Sequence, residues 1–189
     1  MDIRPVTLEG AHVRLEPLTL GHQQAVLEAA REWGLTLERV RDDIVAALRQ
    51  QAARTALPFA TLCKPSLQLV GGTRFLGVVP EHRRLEIGST WIAAPWRRTA
   101  VNTEAKFLML EHAFERLGCA RVEFHADPDN ETSRRAILRL GATEEGRLRG
   151  YKVTPQGEVR DAVFYSIIEA EWPTVKARLR QLLARDTHE

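Results

Sequence analysis

Apolar and polar positions alternate along Leu85–Ala93 and again along Arg121–Ala126, the period of two expected of half-buried strands. Between them the period changes. Phe107, Leu110, Phe114 and Leu117 fall three or four positions apart, which predicts a helix over Thr103–Leu117 with one core-facing stripe. Glu104 lies in its first turn, where a carboxylate suits the helix dipole. A second helix opens at Asp129-Asn130-Glu131-Thr132-Ser133, with Asn130 placed as N-cap, and closes at Gly141.

The same reading extends to both ends of the chain. His12–Pro17 alternates as a first strand, and Ala25, Leu27, Ala29 and Ala30 have helical spacing up to Trp33-Gly34. Leu37–Arg54 is a second helix, with Val40, Ile44, Ala47 and Leu48 on one face. Phe59–Cys63 is a short strand, and Leu67–Val79 is a strand or a hairpin with Gly71-Gly72 as its bulge or turn. Gly146–Val153 and Val159–Ile168 flank a turn at Thr154-Pro155-Gln156-Gly157 and read as a hairpin. A closing helix starts near Glu171-Trp172-Pro173 and runs to about Arg185. The order β-α-α-β-β-β-α-β-α-β-β-α, without repeat or linker, predicts one α/β (α+β) domain over residues 1–189.

Composition narrows the class. A chain of 189 residues closes one core, and a net charge of +2 exerts no strong pull toward nucleic acid or membrane. No apolar run approaches the ~20 residues needed to span a bilayer. Cys63 and Cys119 sit in apolar runs outside any zinc-like spacing, which fits a reducing, cytoplasmic setting and no metal.

Several residues are placed for chemistry. Arg97-Arg98-Thr99-Ala100-Val101-Asn102-Thr103 joins a strand to a helix, and such a turn can present amides to an anion. It can equally be a plain helix start, with Asn102 or Thr103 as N-cap. Strict alternation puts Glu86, Gly88, Thr90 and Ile92 on one face, opposite Leu85, Ile87, Ser89 and Trp91. Glu86 is then either a carboxylate desolvated in a cleft, able to take a proton, or a surface group paired with Arg83 or Arg84. His125, sharing a face with Glu123 and Asp127, is a second candidate base. Trp33 either walls a pocket or anchors a helix end, and Asp161 either receives a cationic amine or pairs with Arg147 or Arg160.

The strand with Glu86-Ile87-Gly88, the arginine-rich turn, and the run Asp127-Pro128-Asp129-Asn130-Glu131-Thr132-Ser133-Arg134-Arg135 with Leu140-Gly141 resemble the GNAT superfamily of acetyl-CoA-dependent N-acetyltransferases. With Arg160-Asp161 and Tyr165-Ser166 added, the chain is most similar to the ribosomal-protein-alanine N-acetyltransferase (RimJ/RimL-type) branch. The resemblance covers nearly the whole chain. It implies a mixed, mostly antiparallel sheet of six to seven strands flanked by helices, with a splayed strand pair that holds acetyl-CoA.

By the same resemblance, Arg97, Arg98, Thr99, Ala100, Val101, Asn102 and Thr103 bind the pyrophosphate. Trp91, Ile92 and Ala93 offer backbone amides to the pantetheine and acetyl group, and Asn130 and Ser133 contact CoA. Ala100 stands where the family's turn has its central Gly, and Asn102 where it has a small residue. Ile137 replaces the Tyr that many members use as general acid, so the acid is unassigned: Ser133 is the nearest candidate, Tyr165 a more distant one, and unassisted departure of the thiolate is the alternative. Glu86 is the implied base, and Trp33, Asp161 and Tyr165 belong to the acceptor pocket.

The implied reaction is direct attack on acetyl-CoA by a primary amine, from a protein N-terminus or a small molecule, in a monomer or homodimer. An α-amine of pKa ~8 needs less help from a base than a lysine at ~10.4. The alternative is a non-catalytic acyl-CoA-binding or interaction module that keeps the fold.

Overall fold

The computed structural model describes residues 1–154 and 156–186; Pro155 of the expected hairpin turn lies outside the described residues. Eight strands form one sheet: β1 (Leu8–Glu9), β2 (Val13–Pro17), β3 (Leu57–Cys63), β4 (Gln68–Val79), β5 (Arg84–Ile92), β6 (Arg121–Ala126), β7 (Thr143–Val153) and β8 (Val159–Ile168). Their spatial order is β1-β2-β3-β4-β5-β6-β8-β7. The sheet has one strand more than expected, the two-residue β1, which is too short to show a period. Every pairing is antiparallel except β5 with β6.

The helices are α1 (Gln23–Ala29), α2 (Leu37–Ala52), α3 (Ala100–Glu111), α4 (Glu131–Leu140) and α5 (Trp172–Asp186). Helices α3, α4 and α5 pack on one face over a core that includes Val13, Leu15, Phe75, Leu85, Val122 and Ile167. On the opposite face α1 packs over Ala60, Leu62 and Leu69. Helix α2 joins it there, capped by Thr36, whose hydroxyl accepts from the Arg39 N–H at 3.1 Å, and burying Val40, Ile44 and Ala47. No helix among the described residues is long and apolar enough to cross a membrane.

Two irregularities shape the middle of the sheet. The β3–β4 register steps from Thr61↔Gly71 to Leu62↔Leu69, so the bulge residue is Val70, beside Gly71-Gly72, inside one long strand, and the glycines make no hairpin turn. The β4–β5 register steps from Gly72↔Trp91 to Arg74↔Gly88, an extra residue in β5, where Ser89 takes the left-handed φ of 47°. That bulge breaks the expected alternation. Thr90 and Ile92 turn toward the α3 face, Thr90 accepting from the α3 lysine Lys106 at 2.5 Å. Trp91, expected beside Leu85 and Ile87, swaps to the α1 face.

Candidate active site

Strands β5 and β6 pair only from Arg84↔Arg121 to Glu86↔Glu123, and beyond Glu86 they part. The helix that follows β5 starts at Ala100, three residues earlier than its spacing predicted. Its N-cap is Thr99, whose hydroxyl accepts from the Val101 N–H at 3.4 Å, and not Asn102 or Thr103. Ala100 is therefore ordinary right-handed helix, and the left-handed residue of the turn is Arg98, with φ of 60°. A side chain can hold that conformation at a modest cost, so a turn without glycine still reverses here.

Three groups expected to meet CoA are held differently from one another. The Arg97 guanidinium donates to the Ile92 carbonyl at 2.9 Å and to Glu32 at 2.5 Å, so it braces the turn against β5 and the α1–α2 connection. The Ala93 N–H donates to the Val70 carbonyl at 2.8 Å and is spent inside the sheet. Alternation turns the neighbouring Ile92 N–H to the other edge of β5, where β6 has left it. Asn102 places its side-chain oxygen in a buried position with no hydrogen-bond partner among the described residues.

Glu86 occupies the fork. Arg84 turns to Glu123 at 3.3 Å and Arg83 to Glu169 at 3.2 Å, so neither of the expected surface pairs with Glu86 forms. Its near neighbour is His125, with Nδ1 at 3.4 Å. Burial, then the charge of Glu123, pushes the Glu86 carboxyl up to about 7, with Lys152 opposing. Burial also lowers His125, which packs against Phe164 at 3.8 Å between ring centroids. Gly88 gives the carboxylate its place, since a Cβ there would stand 2.5 Å from a Glu86 oxygen.

At the other arm of the fork, Asn130 caps α4 through its side-chain oxygen, which accepts from the Ser133 N–H at 3.0 Å. Ser133 is half-buried in that first turn, and Ile137 packs into the core.

The acceptor assignments divide. Tyr165 pairs with Phe124 in the ladder, faces α4, and is fully buried with its hydroxyl accepting from the Arg134 Nε at 3.0 Å. It is a core residue on the face opposite Glu86. Asp161 accepts from Arg147 at 2.8 Å and from the Gly150 N–H at 2.8 Å, which is the pairing alternative.

Trp33 does wall a pocket: it is 44% exposed and meets Trp91 edge to face at 5.4 Å. The two rings line a cavity of about 570 Å³ between α1, α2 and the β3–β5 surface, together with Leu18, Ile44, Arg74 and Ser89. Gly72 makes room for the indole, since a Cβ there would come within 2.7 Å of the Trp91 Nε1. Arg74 escaped the sequence reading. Its only signal was alternation along β4, and the uncertain strand-or-hairpin assignment of that segment hid it.

Comparison with known proteins agrees with this geometry. Residues 3–143 match the acetyltransferase (GNAT) domain family. The uncharacterized N-acetyltransferase YoaA of Bacillus subtilis (strain 168) is 33% identical over 102 residues, which are 54% of this chain and 56% of YoaA, so the match spans little more than half of that relative. A GCN5-related N-acetyltransferase from Brucella melitensis superposes with a TM-score of 0.87 at 28% identity, covering 96% of this chain and 86% of its own. RimJ of Mycobacterium smegmatis, solved with CoA-disulfide, shares the fold with a TM-score of 0.81 at 22% identity, over 94% of this chain and 95% of that one. With a family match over most of its length, a mixed sheet forked between β5 and β6, and a helix starting beside that fork, the chain belongs to the GNAT acetyltransferase family.

Proposed function

We propose that the protein is an N-acetyltransferase that uses acetyl-CoA and a primary amine, with the thioester lying in the fork between β5 and β6. The observation that carries this reading is Glu86 at the point where the strands part, poised near neutrality by burial and by Glu123. The site fits the cosubstrate on one further count: an Ile92 N–H directed away from β4, since the neighbouring Ala93 N–H is the one spent on Val70.

In the reaction the amine nitrogen attacks the thioester carbonyl carbon. The N–C bond forms, the C–S bond breaks, and the electron pair leaves on sulfur. Glu86 takes the amine proton, directly or through water. The Ile92 amide faces the oxygen where negative charge develops, a contribution of ~3 kcal/mol for a well-placed donor. Ser133, at the start of α4, is the group that returns a proton to sulfur. Cys119 is fully buried with its thiol pushed up to about 11, and Cys63 is buried too. Neither is suited to carry the acetyl group, which favours direct attack.

Titration calorimetry with acetyl-CoA, followed by thiol release with a panel of primary amines, tests the reading. Binding followed by amine-dependent release is expected. Binding without release would leave an acyl-CoA-binding module, and absence of binding would remove the fork as a CoA site.

A further inference from the structure

We propose that the cavity under α1 and α2 takes an acceptor that carries a carboxylate close to its amine and an apolar or aromatic body, the carboxylate held by Arg74 and the body by Trp33 and Trp91. This rests on the acetyl-transfer reading and adds the chemical class of the acceptor.

Size comes first. About 570 Å³ lies within the range of roughly 300–1,000 Å³ typical of small-molecule sites. The lining is apolar and aromatic apart from a few polar groups, and among the described residues only Asp43 and Arg74 bring charge to it. Asp43 pairs with Arg39 at 3.1 Å. Arg74 is half-buried and donates to the Gln50 side-chain oxygen at 3.4 Å, and the Asp43 charge acts on it without forming an ion pair. A guanidinium drawn out of water toward apolar walls is stabilised best by a carboxylate, whose two oxygens match its fork.

Position comes second. Arg74 stands opposite Gly88 in the β4–β5 ladder, and Glu86 lays its carboxylate over Gly88. Opposed residues on antiparallel strands have Cα atoms only ~4.5–5.5 Å apart. Glu86 pairs with Leu76, two positions along from Arg74, and reaches back over Gly88, so the group that anchors an anion and the group that takes a proton from an amine stand on one face of adjacent strands. An amine and a carboxylate separated by one or two carbons suit that spacing. A peptide N-terminus has a neutral amide where a free amino acid has its carboxylate, and a polyamine would bring further cations against Arg74.

The test uses the full chain with acetyl-CoA and compares phenylalanine, phenylalaninamide, phenethylamine and a phenylalanine-led tripeptide by kcat/KM for thiol release, expressed per neutral amine. Phenylalanine is expected to lead the amide and the decarboxylated amine by roughly tenfold to a hundredfold, the range of a lost charge-assisted contact. Arg74→Gln should bring that ratio near one, with Arg74→Lys between. If either variant fails to fold, the ratio measured on the unaltered protein still decides. Equal rates for acid and amide, or a preference for the tripeptide, overturn the proposal and leave acetyl transfer standing. So does binding of acetyl-CoA with turnover of phenethylamine or the amide but of no carboxylate-bearing amine. Failure to bind acetyl-CoA at all removes the underlying reading along with it.

Discussion

Glu86 shows what a single position discloses from sequence and what it withholds. Alternation placed it correctly on the face opposite Leu85 and Ile87, but its role depended on partners elsewhere in the chain. Glu123 takes the guanidinium of Arg84 and, at 2.8 Å, that of Arg121, both of which would otherwise hold Glu86 ionised. What faces Glu86 is Glu123 and His125 from β6 and Lys152 and Tyr151 from β7. With its carboxyl near 7, turnover is expected to rise through neutral pH as the base form appears, and Glu86→Gln should flatten that rise and slow the reaction. A wild-type pH–rate profile in the variant would dismiss Glu86 as the base. Stability should move the other way. Between pH 4.5 and about 7 the folded protein holds a proton that the unfolded chain releases, so stability falls as pH rises through that window. The glutamine variant should lack this fall in denaturant titrations. Ser133→Ala, by contrast, should lower kcat more than the affinity for acetyl-CoA, and an unchanged kcat would remove the hydroxyl from the mechanism.

At the scale of elements, the order of strands and helices was legible because each carries its own period. The bulge at Ser89 was not. A residue at positive φ inside a strand leaves no local signature when it is not glycine, and everything beyond it changes face. One consequence is a lysine with no counterion among the described residues. Lys106 on α3 is almost completely buried, donating to Thr73 at 2.8 Å and to Thr90, so it ties β4 to the bulged end of β5. Burial brings its ammonium down to about 7. Between pH 7 and its unfolded value of 10.5 the unfolded chain holds a proton that the folded protein lacks, so stability rises with pH across that window. The slope from this one residue is at most about 1.4 kcal/mol per pH unit. Lys106→Met should abolish that slope, leaving Thr73 and Thr90 to bond one another at their present 3.0 Å. Equal slopes in the two proteins, measured by urea unfolding between pH 7 and 9, would show that the lysine stays charged when buried.

For the whole molecule, the connections missing from the sequence reading are those between segments far apart in the chain. Glu104 was assigned to the helix dipole, a reading that uses only its neighbours. In the fold its carboxylate accepts three backbone N–H groups from the β1–β2 loop and the start of β2: Ala11 at 2.9 Å, His12 at 2.7 Å and Val13 at 2.7 Å. With α3 starting at Ala100, Glu104 lies in its second turn and not its first, and the clamp joins that turn to the far edge of the sheet. Gly10 is part of it, since a Cβ at that position would lie 2.3 Å from the Glu104 carboxyl carbon. Removing the acceptor leaves buried donors unmet, each costing ~1–3 kcal/mol. Glu104→Ala should therefore destabilise the protein by about 3–5 kcal/mol, and Glu104→Gln by less, because its amide keeps one accepting oxygen. Gly10→Ala should act through the same clamp by forcing the loop and the carboxylate apart. If the clamp holds α3 in place for its ligand, both Glu104→Gln and Gly10→Ala should weaken acetyl-CoA binding under conditions where they remain folded. Full affinity in both would show that the clamp fastens the sheet edge alone.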